Sequence, residues 1–261
     1  MNRSLNTAAS GMQAQQLLVD TIANNLANAS THGFKGSDLD FRALFYQTLR
    51  EPGTGSGNGQ MDTTGLQIGS GVDVAGSRVS LAQGAIELTG RSGDVAIEGD
   101  GFFQVELPNG QQMFTRKGAL RIDGNGQLVT PEGYRIVPAI TFPQGVTEFA
   151  VAPTGEITFA DEQGQLQDGP ILQIVTFPNA HGLRAEGQSL YSQTAASGAA
   201  VLGNPGTARA GLLVDRALEG SNVSTIEQLV AMIKAQRSYE MNSRAVSVAD
   251  EMMQTASQVV R

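Results

Sequence analysis

The stretch Thr21–Gly36, TIANNLANASTHGFKG, decides how the rest of the chain is read. It starts as an amphipathic helix and ends in a turn punctuated by Gly33 and Gly36. Its helical part carries Ala and Asn where a globular helix usually shows Lys and Glu. A helix of that kind needs a partner that tolerates close approach and offers few charges.

Toward the N terminus, Leu5, Met12, Val19 and Leu26 recur every seven residues, with Ala8, Gln15, Ile22 and Ala29 at the interleaved offset. This heptad seam, with one polar member, predicts a helix from about Ser4 to Ala29, roughly 39 Å long. Arg3, Asp20 and Lys35 are the only charged residues in 1–36. The outer face is therefore Asn, Gln, Ser, Thr and Ala.

The other end of the chain reads similarly. Ser224 and Glu227 have capping-box spacing, and Ile226, Leu229, Val230 and Ile233 form an apolar stripe. Ala245, Val248, Met252, Ala256 and Val259 resume it after the polar KAQRSYEMNSR. Tyr239 and Met241 read as helix-helix contacts. All nine prolines lie between Pro52 and Pro205, and no glycine follows Gly220, so the ends favour helix and the middle does not.

The middle has short alternating or apolar runs separated by Pro-Asn-Gly, Asp-Gly-Asn-Gly and Pro-Glu-Gly, which are hairpin turn signals. The expected fold is α+β: long terminal helices pairing in a coiled-coil-like domain, around an inserted all-β body of hairpins. The expected divisions are a helical polymerisation domain of 1–36 with 221–261, a Gly-rich extended connection at 37–80, and a body at 81–220. A second small β portion is expected at about 145–200. The contacts expected between terminal helices are Leu5, Met12, Val19, Ile22, Leu26, Ile226, Leu229, Val230, Ile233, Val248, Met252 and Val259. Weakly charged helices of this composition suit either a closed antiparallel hairpin or packing against copies of the same chain.

The formal net charge is −8, and residues 37–221, with 11 basic and 20 acidic side chains, carry −9. That argues against nucleic acid or an anionic membrane as main partner. The chain has no cysteine, which excludes disulfides, thiolate metal sites and Cys nucleophiles. The first thirty residues lack a basic segment followed by an apolar one, so no cleaved signal is expected, and no apolar run is long enough for membrane insertion.

Three features are read as structural and a fourth supports an alternative. The glycines of Gly53–Gly59 follow no strand and lack the Lys-Ser/Thr of a phosphate loop. The loop starting at Asp123 and Asn125 has Leu128 and Tyr134 where a calcium loop needs Gly and Glu. His32 and His181 sit alone in Gly-flanked turns, so no catalytic residue, metal or cofactor is expected there. Asp94, Glu98 and Asp100 are the one acid group suggesting an enzyme, a secreted polysaccharide hydrolase, kept as the alternative from another class.

Three segments then resemble the bacterial flagellar rod and hook family. Ala23–Lys35, ANNLANASTHGFK, is similar to its N-terminal signature, through Ala23, Asn24, Asn25, Leu26, Ala27, Asn28, Thr31, Gly33, Phe34 and Lys35. DVAIEGDGFFQV, at 94–105, with Gly101, Phe102 and Phe103, is similar to its second, and Ser221–Met253 to its third. Chain length and the LFYQTLREPG…GLQIGSGV stretch favour a distal-rod member over the proximal-rod and hook members. The resemblance implies a structural axial subunit, exported unfolded without signal cleavage through the flagellar type III apparatus. It implies assembly, under a rod cap, into a hollow helical homopolymer that spans the periplasm to the outer-membrane ring. Implied neighbours are proximal rod proteins, a hook or hook-junction protein, and the ring proteins of the peptidoglycan layer and outer membrane. In that setting Gly33 and Gly36 would free the backbone where the chain leaves the tube.

Overall fold

The computed structural model describes residues 3–51, 55–56, 60–61, 65–146, 148–161, 165–207 and 209–259, without side chains for 55–56, 60–61, 256, 257 and 259. The fold is α+β, with a helix toward each end and many short strands between. It divides into two compact units, Met1–Ala27 with Ser37–Arg78 and Ser224–Arg261, and Asn28–Gly36 with Val79–Val223.

In the first unit, helix α1 spans Arg3–Ala27 and helix α2 spans Thr225–Val259. The two pack on each other. α2 starts at the expected place because Ser224 accepts the Glu227 N–H on its side-chain Oγ at 3.4 Å and the Gln228 N–H on its carbonyl at 3.0 Å. This is the N-cap half of the expected capping box. On α1 the expected seam has Ile22 buried and Leu5, Ala8, Met12, Gln15, Val19 and Leu26 half-buried, while Ala29 falls beyond the helix end at Ala27. Small residues permit close approach of the pair, and a Cβ built on Gly11 would lie 2.9 Å from Asn242 Nδ2. No helix among the described residues is long and apolar enough to cross a membrane.

The segment after Gly36 is a two-stranded ribbon. Ser37–Ala43 pairs with Val72–Val79, Tyr46–Arg50 pairs antiparallel with Leu66–Gly69, and Gly55–Ser56 pairs with Gln60–Met61. Its glycine-rich stretch lies mostly outside the described residues. The ribbon is held to α1 at two places. At Asn25 the side-chain amide copies a strand edge: Oδ1 accepts the Ser37 N–H at 2.9 Å and Nδ2 donates to the Ser37 carbonyl at 2.8 Å. At Gly71 the backbone lies so near that a Cβ would fall 2.3 Å from Ser10 Oγ, which also accepts the Val72 N–H at 3.4 Å.

The second unit is a β body. A seven-stranded antiparallel sheet runs in the order Arg121–Ile122, Leu128–Val129, Arg135–Val137, Phe103–Glu106, Gln112–Thr115, Leu190–Ser192, Arg184–Gly187. A three-stranded sheet of Phe149–Val151, Glu156–Ala160 and Leu166–Ile171 lies in the region expected for the second β portion. Phe103, Val105, Leu128, Ile136, Ile157, Ile174 and Leu213 are all buried in one core cluster. A second cluster gathers Phe102, Phe114, Val175, Phe177, Leu183 and Tyr191, with edge-on ring pairs at 4.8–5.9 Å. Phe102 and Phe103 thus point to opposite faces, as strand alternation requires. Two late strands complete the body: Leu212–Asp215 pairs with Val95–Glu98, and Ala217–Glu219 with Ile86–Leu88.

Candidate functional site

The signature residues of the body meet at one buried charged centre. Glu219, on the last body strand, has a fully buried side chain, and Lys35 and Arg116 beside it are 1% and 5% exposed. Lys35 Nζ donates to Glu219 Oε1 at 2.5 Å and to the Ala82 carbonyl at 2.8 Å. Arg116 Nε donates to Glu219 Oε2 at 2.8 Å, and its two Nη atoms donate to the carbonyls of Gly101, at 2.6 Å, and Gly99, at 2.8 Å. The Arg116 guanidinium also lies 5.9 Å from the Phe102 ring centroid. Burial holds the Lys35 ammonium below its ordinary value, opposed by its hydrogen bond to Glu219 and reinforced by the positive charge of Arg116. Two cations therefore share one carboxylate, and backbone carbonyls supply the remaining acceptors.

The turn that delivers Lys35 depends on glycine. Gly33 sits at φ +70°, its N–H donates to the Glu219 carbonyl at 2.7 Å, and a Cβ there would fall 2.8 Å from the backbone N of Lys117. Gly101 has φ +147°, with Ile174 Cδ1 2.9 Å from any Cβ. Gly36, expected to share this role, is not among the left-handed glycines; its N–H instead donates to Asn222 Oδ1 at 2.8 Å. Asn222 Nδ2 donates in turn to the carbonyls of Ser80, at 2.8 Å, and Ala82, at 3.0 Å. Segments of all three signatures are thus joined through Lys35, Gly101 with Phe102, and Asn222. Thr31 and Phe34 are half-buried in the turn, where the Thr31 N–H donates to the Asn28 carbonyl and the Phe34 N–H to that of Thr31. Ala23, Asn24 and Ala27 lie on the exposed side of α1, while Asn25 is buried and Leu26 half-buried.

In the first unit, α2 has two opposite faces. Gln228, Ala231, Met232, Ala235, Ser238, Asn242, Val246, Ala249 and Met253 are its buried or half-buried positions, and they lie on one side. The expected stripe lies on the other. Ile226 is 74% exposed and Met252 61%, with Leu229, Val230, Ile233 and Val248 also exposed. Val259 closes the helix, and its side chain lies outside the described residues. Tyr239 and Met241, expected in helix contacts, are also exposed. The expected contacts therefore fall into two groups: those on α1 are buried or half-buried, and those on α2 with described side chains are exposed in the single chain.

The three acids of the enzymatic alternative do not share one environment. Asp94 is buried and accepts from Thr89 Oγ1 at 2.6 Å and Arg91 Nε at 3.0 Å, while Glu98 and Asp100 are exposed. Among the described residues no three His, Asp or Glu side chains converge on a metal position. Asp123 Oδ1 accepts the N–H groups of Asn125 and Gln127, the pattern of a turn. His181 lies exposed with Nδ1 3.4 Å from the Val79 carbonyl, and His32 is half-buried.

Comparison with known proteins accounts for this architecture. The family model for flagella basal body rod proteins matches residues 5–35. The model for the flagellar hook protein FlgE/F/G D1 domain matches 96–159, and that for the flagellar basal body rod FlgEFG C-terminal segment matches 214–259. The chain is 42% identical to a flagellar basal-body rod protein FlgG of Caulobacter vibrioides over 98% of this chain and 99% of the relative. It is 41% identical to that of Borreliella burgdorferi over the whole of both chains, and 36% identical to that of Bacillus subtilis over 97% of each. The chain accordingly belongs to the flagellar basal-body rod protein family, a family of structural subunits and not of enzymes.

Proposed function

We propose that this chain is a distal-rod subunit whose copies polymerise through their terminal helices into a hollow helical shaft. The observation that carries the reading is the second face of α2. Ile226, Leu229, Val230 and Ile233 form an exposed apolar patch in the first turns, on the side opposite the one packed on α1. A helix with apolar stripes on two sides suits a bundle in which each α1–α2 pair is covered by its neighbours. The α1 set, Leu5, Met12, Val19, Ile22 and Leu26, would hold the pair together, and the α2 set would hold the copies together. In such a tube the helices line a central export channel, and the acidic body stands outside.

The FlgG relatives are named as basal-body rod proteins, and that position is proposed here too. The partners are then copies of the chain, other rod subunits below, hook-side subunits above, and the rings around the shaft. Type III export without signal cleavage delivers the subunit, which acts as a drive shaft between motor and hook. Electron microscopy of the concentrated full-length protein tests the reading, beside a variant lacking 1–27 and 224–261. Tubular polymers from the first alone support it; monomers from both samples, with the helices folded, refute it.

A further inference from the structure

The outer face of α2 carries a second patch beyond Ile233. Met241, Val248 and Met252 follow at spacings of seven and four, so their side chains stack on one side of the helix. Met241 and Met252 are 64% and 61% exposed. Of the other methionines with described side chains, Met113 is only 7% exposed, and Met12, Met232 and Met253 are half-buried. The chain has no cysteine, so thioethers are its only sulfur nucleophiles.

We propose that Met241 and Met252 form an oxidation site that governs entry of the chain into its polymer, the reagent class being two-electron oxygen donors such as hydrogen peroxide. The inference rests on reading the outer face of α2 as an assembly surface. In the step itself, a sulfur lone pair attacks one peroxide oxygen and the O–O bond breaks. An S–O bond forms, and the second oxygen leaves as water after proton transfer. Sulfur gives up two electrons and peroxide takes them. Each product sulfoxide places a strongly polar group beside the exposed Val248. Burying it against an apolar neighbour without a hydrogen-bond partner is unfavourable. Subunits already assembled would have both sulfurs covered, so the site distinguishes free chain from polymer.

The test treats the full chain with hydrogen peroxide, follows each methionine by peptide mass spectrometry, and measures polymerisation by light scattering and electron microscopy. Sulfoxide should form at Met241 and Met252 at least about tenfold faster than at Met113. The subunit concentration needed for polymerisation should rise at least about tenfold. Methionine sulfoxide reductases should restore it. The double variant Met241→Leu with Met252→Leu, compared with and without peroxide, should show the same threshold concentration for polymerisation in both, whatever that threshold is. Three results would overturn the proposal: slow oxidation at these two residues, full oxidation with unchanged polymerisation, or inhibition that persists in the double variant. Failure of the untreated chain to polymerise would remove the assembly reading itself, and this proposal with it.

Discussion

At Glu219 one carboxylate serves two buried cations, and the asymmetry of that arrangement sets what its mutants should do. Removing the acid strands Lys35 and Arg116 without a counter-charge, whereas removing Lys35 leaves an Arg116–Glu219 pair still matched. Glu219→Ala should therefore destabilise the body by about 3–5 kcal/mol. Lys35→Met should cost far less, both read as shifts of the urea unfolding midpoint; equal losses would show that charge pairing is not what matters there. Tyr191, packed edge-on to Phe102, gives a pH signature. Burial pushes its phenol up to about 12 from 10.0, so the folded body keeps the proton that the unfolded chain loses. The stability it contributes is complete below pH 10 and is lost as pH rises toward about 12. Tyr191→Phe should lose less stability over that interval, and a parallel alkaline decline in both proteins would contradict the assignment. Of this centre, Lys35, Gly101 and Phe102 were legible in the sequence as signature residues. Glu219 was not, because an ion pair between residues 35 and 219 leaves no local spacing to read.

Among the elements, α2 shows how far periodicity reaches. The apolar stripe from Ile226 to Val248 is real, yet it is the exposed face, and the face on α1 consists of Gln228, Ala231, Ala235, Ser238 and Asn242. Hydropathy marks a face that prefers burial and does not say which partner buries it; small and polar residues can pack a close helix pair without an apolar signal. The two faces should respond differently to substitution. Ala235→Leu forces bulk into a site that is 2% exposed and should destabilise the helix pair by about 1–3 kcal/mol, seen as loss of helical circular dichroism on heating. Ile233→Glu should leave that melt unchanged and abolish polymerisation. Polymers of normal length from Ile233→Glu would place the contacts between copies elsewhere. The ribbon is the element least visible in advance. Its residues alternate weakly and carry exposed Phe45 and Tyr46, so the Gly-rich composition dominated the reading of 37–80 as an extended connection.

For the molecule as a whole, the instructive boundary lies inside the first signature. Residues up to Ala27 belong with the helices, and Asn28–Gly36 belong with the body, although ANNLANASTHGFK reads as one motif. The α+β class and the order helix, β body, helix were legible, because proline and glycine placement separates the three regions. The boundary was not, since the transition from α1 into the Gly33 turn is continuous in composition and the body contacts of the turn come from residues far away in sequence. Two N-terminal deletions separate these roles. Removing residues 1–27 takes away the partner of α2 but leaves Gly33, Lys35 and Gly36 in place, so the body should keep its cooperative unfolding transition. Removing 1–36 also deletes the hydrogen bonds from Gly33 and Lys35 to Glu219 and from Gly36 to Asn222, and opens the buried charge of Glu219 and Arg116 to water. The body should then unfold at a clearly lower urea concentration than after the shorter deletion, with the mass and secondary-structure signal of both monitored alongside. The body would thereby be shown to need residues 28–36, which the expected division groups with the helices; identical midpoints would mean that the strands alone carry its stability.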